Sequence, residues 1–128
     1  IKSADVAVIV IGEKPYAEGR GDDGELDLYS GQAHPGNRKA LEQLQGAGIP
    51  VVVILVSGRP RIVTNEIANW DAFVAAWLPG SEGDAVADVL YGDYEFKGKL
   101  PFAWPASIDN LPIREGDDTN LFPFGFGL

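Results

Sequence analysis

Two segments of the chain are apolar almost without interruption: "ADVAVIVIG" at 4–12 and "PVVVILVSG" at 50–58. Continuous β-branched runs of this length predict parallel strands covered on both faces, not the apolar–polar alternation of a half-solvated sheet. "DAFVAAWLP" at 71–79 predicts a third strand, weakened by its alanines, which favour helix. "GKLPFAWP" at 98–105 predicts a fourth, and its prolines, which have no amide to donate, place it at an edge.

Helical patterns lie between the strands. "NRKALEQLQGAG" puts Leu41 and Leu44 on one face, with Gly46 and Gly48 as stops and Pro50 beyond. "RIVTNEIANW" is short and amphipathic. "SEGDAVADVLYG" opens with Ser81 as N-cap and Asp84 three residues on, the spacing of a capping box, and closes at Gly92. Strands alternating with helices define an α/β class: a mostly parallel, doubly wound sheet with helices on both faces, a three-layer sandwich. The tail from Ile108 onward, rich in Pro, Gly, Asp and Phe, is expected to be loop-like.

Composition narrows the function more than the fold. At 128 residues and 45% hydrophobic, with three Trp, four Tyr and six Phe, the chain has material for one core. A net charge of −9 disfavours nucleic acid and anionic membranes, which require clustered Lys and Arg. No apolar run reaches the ~20 residues of a membrane span. The absence of Cys excludes disulfides and thiolate metal sites. There is no Met, not even at position 1, so the chain is expected to begin inside a longer polypeptide or after processing.

The unusual feature is "GEKPYAEGRGDDGELDL" at 12–28, directly after the first strand, with six carboxylates, two bases and four glycines. In open α/β sheets the ligand side lies beyond the carboxyl ends of the strands, where this loop, "SGRP" and "LPGSEG" all emerge. No G-x-G-x-x-G or Walker loop follows a strand, and the acids would repel a phosphate. Asp22, Asp23, Glu25 and Asp27 lack the spacing of an EF-hand loop, so no metal is expected. Ser57 lacks a nucleophile elbow and is read as a turn residue, while His34, the single histidine, is read as an exposed loop residue. Arg20-Gly21-Asp22 spells an adhesion tripeptide, but so short a match arises by chance. Glu13 and Glu18 differ from the other acids because they flank "KPYA". There Pro15 stiffens the backbone and Tyr16 can shield a neighbouring carboxyl from water, raising its pKa toward that of a general acid. On composition alone Glu18 reads as a solvated loop acid before it reads as a catalytic one.

Several motifs in order carry a family resemblance. "WLPGSEGDAVADVLYGDYEFKGKLPFAWPASIDNLP" resembles the carboxy-terminal α/β domain of glycoside hydrolase family three, in its P-G-x-E-G, L-x-G and G-K-L-P elements. "ILVSGRP" is similar to the family's preceding strand and turn, and "FPFGFGL" to its closing motif. "GEKPYAEGRGD" is similar to the branch of β-glucan exohydrolases and exo-acting β-glucosidases. The likeness covers essentially all of 1–128, read as one α/β sandwich domain.

The resemblance implies a two-domain glycosidase in which an amino-terminal barrel supplies the nucleophile and most sugar contacts. The present chain would be most of the second domain, lacking its first βα unit. It implies that Glu18 is the general acid/base, from the Y-x-E-x-K/R-G-D pattern, and that Glu13 is not catalytic. Tyr16, Arg20 and Asp22 would shape the loop or touch substrate. Glu82 would charge a helix start, and Trp77 and Trp104 would be core or interface residues. The implied partners are β-glucan oligosaccharides or β-glucosides and the barrel domain, with no metal or cofactor, in a secreted or periplasmic enzyme. A β-xylosidase of the same family is the rival within the class. A non-catalytic carbohydrate-binding or packing module is the rival outside it. If the first βα unit is missing, one sheet edge should expose apolar strand surface.

Overall fold

A computed structural model describes residues 3–16, 18–114, 116 and 118–128. The chain forms two compact units, Ile1–Trp77 and Leu78–Leu128. The first is built on a parallel sheet of β1 (Ala7–Gly12), β2 (Val51–Val56) and β3 (Ala72–Trp77), with β2 in the middle. The α/β class and the parallel arrangement are those the apolar runs predict.

Position in the sheet decides how each run is buried. Central β2 buries Val51, Val53, Ile54 and Leu55, as a continuous apolar run requires. β1, at the edge, buries Ile9 and Ile11 but leaves Val8 and Val10 on its other face 45% and 61% exposed. That open face departs from the two-sided cover expected of β1. Ile9 and Ile11 register with Val53 and Leu55, so parallel pairing gathers these four side chains on one face. Leu26, Leu28, Ala33 and Val63, all from segments between strands, complete the core.

The helix α1 (Glu18–Gly21) is one turn long, and α2 (Asn37–Glu42) packs near β1. α2 stops well before Gly46 because its apolar positions are too few to hold a longer helix. "RIVTNEIANW" yields only a 3-10 turn, Ile67–Asn69. β3 ends at a bulge, where Trp77 adopts φ 54° and its carbonyl accepts the Ser57 amide at 3.0 Å.

In the second unit α3 (Gly83–Tyr91) ends at Gly92 in the left-handed region, φ 88°, as its glycine predicts. Its start differs from expectation. Glu82, not Ser81, occupies the N-cap position, because the Ser81 hydroxyl donates to Glu82 Oε1 at 2.9 Å and caps no amide.

The fourth strand is reduced to two residues of the segment 98–105. Pro101 has no amide to give a ladder, and only β4 (Trp104–Pro105) pairs, antiparallel, with β5 (Asn120–Phe122) in the tail. The "GKLP" and "FPFGFGL" motifs lie against each other. Leu100 donates to the Phe126 carbonyl at 2.8 Å and accepts from the Gly125 amide at 2.9 Å. Gly127, φ 144°, approaches the Gly98 carbonyl so closely that a Cβ would stand 2.6 Å from it. Trp104 is buried, as its reading as a core or interface residue expects.

Candidate active site

The acidic loop leaves β1 at Gly12, where a Cβ would lie 2.6 Å from the Val56 carbonyl oxygen of β2. Asn37, buried at the start of α2, locks this strand end. Its amide oxygen accepts the Gly12 N–H at 3.1 Å, and its NH2 donates to the carbonyls of Gly12 and Leu28 at 2.9 and 3.0 Å.

The next residue, Glu13, carries the most deeply held carboxylate of the loop. Its Oε1 accepts from Arg59 Nε and from Arg61 Nη1, both at 3.0 Å, and its Oε2 accepts the Gly58 amide at 3.2 Å. Only 3% of the Glu13 side chain and 1% of that of Arg61 remain exposed. The arginines come from the turn after β2, shaped by the Ser57 hydroxyl donating to the Arg59 carbonyl at 2.7 Å. Ser57 is thus the turn residue its sequence context predicts. Burial draws the Arg61 guanidinium below its ordinary pKa, and the charge of Glu13 works against that shift.

Each arginine then reaches the loop backbone. Arg61 donates to the carbonyls of Asp27 and Ser30, the latter at 3.1 Å. Arg59 donates to the carbonyl of Gly21, approaches Asp23 at 4.0 Å, and lies over the Tyr16 ring with 4.6 Å to its centroid. The Tyr16 phenol is raised in pKa, by burial first and by the charge of Glu13 second.

Two further acids organise the loop instead of facing a ligand. Asp23 accepts the amides of Glu25 and Gln32 at 2.9 and 3.0 Å, and those bonds, the Glu25 amide foremost, lower its pKa. Burial pulls Asp27 upward. The Ser30 hydroxyl and the amides of Tyr29 and Ser30 together outweigh it and hold the carboxyl below its usual value. Among the described residues no group of three or more His, Asp and Glu side chains is placed to hold a metal ion.

Glu18 contrasts with all of these. It opens α1, is exposed, and has no hydrogen-bond or ion-pair partner among the described residues. Arg20 and Asp22 are likewise exposed, whereas Tyr16 belongs to the arginine network. The shielding aromatic therefore stands beside Glu13. His34 is exposed, its Nδ1 accepting the Gly36 amide at 3.1 Å.

Sequence reasoning passed over Arg59 and Arg61. The signal was present: two arginines directly after a buried strand, in a chain with only 10 basic residues against 19 acids. Buried charges are stable only when paired, so such arginines must find acids near the strand end.

With this fold and loop, the class is that of glycoside-hydrolase α/β domains. The chain belongs to glycosyl hydrolase family 3: residues 1–128 match the family's C-terminal domain. It is 46% identical to the exo-1,3/1,4-β-glucanase of a Pseudoalteromonas species, with a TM-score of 0.81 over 97% of this chain and 16% of that one. It is 35% identical to a β-xylosidase of Formosa agariphila, and 34% identical to a periplasmic β-glucosidase of Salmonella typhimurium. Each match covers 99% of this chain and 19% of the relative. The chain thus spans less than a fifth of the length of these relatives. No helix among the described residues is long and apolar enough to cross a membrane.

Proposed function

We propose that this chain is the second domain of a retaining, exo-acting β-glucosidase or β-glucan glucohydrolase, and that Glu18 is its general acid/base. The observation that carries the assignment is the contrast between the two glutamates flanking "KPYA". Glu13 is committed to two guanidiniums and an amide, whereas Glu18 is exposed on a one-turn helix and has no partner among the described residues.

In a retaining reaction a nucleophilic carboxylate, here assigned to the barrel domain, attacks the anomeric carbon as the glycosidic C–O bond breaks. Glu18 gives its proton to the departing oxygen. It then takes a proton from the water that cleaves the glycosyl-enzyme, restoring both carboxyls. Such pairs stand about 5–5.5 Å apart, which a loop reaching over a shared cleft can supply. The relative acting on 1,3/1,4-β-glucan supports a glucan substrate, and the β-xylosidase relative makes xylosides the competing sugar. The periplasmic relative supports an exported enzyme.

The test is leaving-group dependence in the full-length enzyme. Glu18→Gln is expected to slow alkyl β-glucosides by about 10²–10⁴-fold and to spare glycosylation by activated aryl glucosides. Equal losses for both would assign the acid elsewhere, and a preference for aryl xylosides would redirect the substrate.

A further inference from the structure

A catalytic carboxyl must be held within about 0.5 Å of its productive place. Yet the α1 turn buries none of its residues, and Glu18 has no partner of its own among the described residues. What holds this turn is at its other end. The Gly21 carbonyl, of the kind a helical turn leaves without an internal donor, accepts from Arg59 as well as from the Asp23 amide at 2.9 Å. Gly21 also lies against the Tyr16 ring, where a Cβ would stand 3.1 Å from Cδ2. The guanidinium covers that same ring, and its Nε is fixed by Glu13, itself held by Arg61 and the Gly58 amide. A single planar fork therefore ties the Glu18 turn, the aromatic beneath it and the buried ion pair at the sheet end. A lysine, one flexible point charge, cannot make these contacts together.

We propose that Arg59, lying on Tyr16, is the positioning residue for Glu18: it fixes the end of the α1 turn to the Glu13–Arg61 pair and so sets where the acid/base carboxyl stands. The proposal rests on the reading of Glu18 given above. Arg59 acts through the Gly21 backbone and touches no reacting atom. Arg61 grips the Asp27 and Ser30 carbonyls instead, and holds a different part of the loop.

The experiment is a double-mutant cycle in the full-length enzyme with Arg59→Lys, Glu18→Gln and their combination, alongside limited trypsin digestion. Misplacing a catalytic group by about 1 Å costs on the order of 10²-fold, so Arg59→Lys should lower kcat on an alkyl β-glucoside by about 10–100-fold. Glycosylation by a dinitrophenyl glucoside should be nearly spared, and the double variant should be no slower than Glu18→Gln alone. Trypsin should cut after the exposed Arg20 faster in Arg59→Lys than in the parent at matched thermal stability. Tyr16→Leu, which removes the ring but leaves the Glu13 pairs, should reproduce both effects should Arg59→Lys fold poorly. Multiplying losses in the double variant, or unchanged cleavage after Arg20, overturns the proposal. A harmless Glu18→Gln would overturn the acid/base reading instead, and the tryptic comparison would still decide whether Arg59 holds the turn.

Discussion

Glu13 and Arg61 form an ion pair 3.0 Å long, with 3% and 1% of their side chains exposed, at the carboxyl end of the parallel sheet. Removing one partner of such a pair leaves a charge stranded in a poor dielectric, which costs about 3–5 kcal/mol. Glu13→Ala strands two guanidiniums, although Arg59, 18% exposed, recovers part of its hydration. The variant is expected to lose about 3 kcal/mol in a denaturant titration of the full-length enzyme. Its residual activity should fall further for alkyl than for activated aryl leaving groups, because Arg59 loses the carboxylate that fixes it. Retention of full stability would mean that the pair contributes nothing and that the loop is held by other contacts.

Asn37 offers a second test of how β1 is tied to the loop. Its side chain uses both amide hydrogens and its oxygen, on Gly12 and Leu28. Asn37→Asp keeps the shape but turns a donor into an acceptor facing two carbonyl oxygens. Each buried group left unsatisfied costs about 1–3 kcal/mol, so the combined loss is expected to exceed about 2 kcal/mol. Hydrogen exchange at the Gly12 and His34 amides should quicken, since His34 donates to the Gly12 carbonyl at 2.8 Å. Unchanged exchange at both would show that the strand end is secured without Asn37.

Acid should loosen the loop through Asp27. Its folded pKa is lowered, burial being outweighed by the Ser30 hydroxyl and the two amides. A group depressed on folding contributes stability above its unfolded value, about 3.9, and loses that contribution as pH falls through the folded value. Asp27→Asn should therefore be less stable than the parent at pH 7, by about 1–2 kcal/mol for weakened charge-assisted hydrogen bonds. The gap should close progressively below about pH 4. A gap independent of pH would locate the acid response in other carboxylates.

Much of this organisation was legible in the sequence, for reasons that differ by element. β2 was plain because a central parallel strand must be apolar on both faces. The end of α3 was plain because Gly92 alone relieves the left-handed backbone there. The segment 98–105 misled because its alternating bulky residues look like strand, while its prolines remove the donors a ladder needs. In the candidate site, Glu18 was distinguished by motif order, not by local chemistry, since a solvated catalytic acid and a solvated spacer acid have the same neighbours in sequence. The arginine clamp was hidden because its partners, Glu13 with Arg59 and Glu13 with Arg61, are 46 and 48 residues apart. Only the juxtaposition of two parallel strand ends brings them together.

Chemical rescue separates the two glutamates most sharply. In the full-length enzyme, Glu18→Gln keeps the side-chain shape but has no proton to give and cannot accept one from water. With a dinitrophenyl glucoside the leaving group departs unaided, so the glycosyl-enzyme should form and then persist for want of a base. Azide attacks the anomeric carbon without needing deprotonation, and should raise turnover and yield the β-glycosyl azide with retained configuration. General acid–base assistance is typically worth about 10²–10⁴-fold, which bounds the recovery to be expected. Glu13→Gln, altering a carboxylate that is buried against Arg61, should gain nothing from azide. Rescue of the Glu13 variant and not the Glu18 variant would move the acid/base to the strand end. Rescue of neither would take it out of this loop.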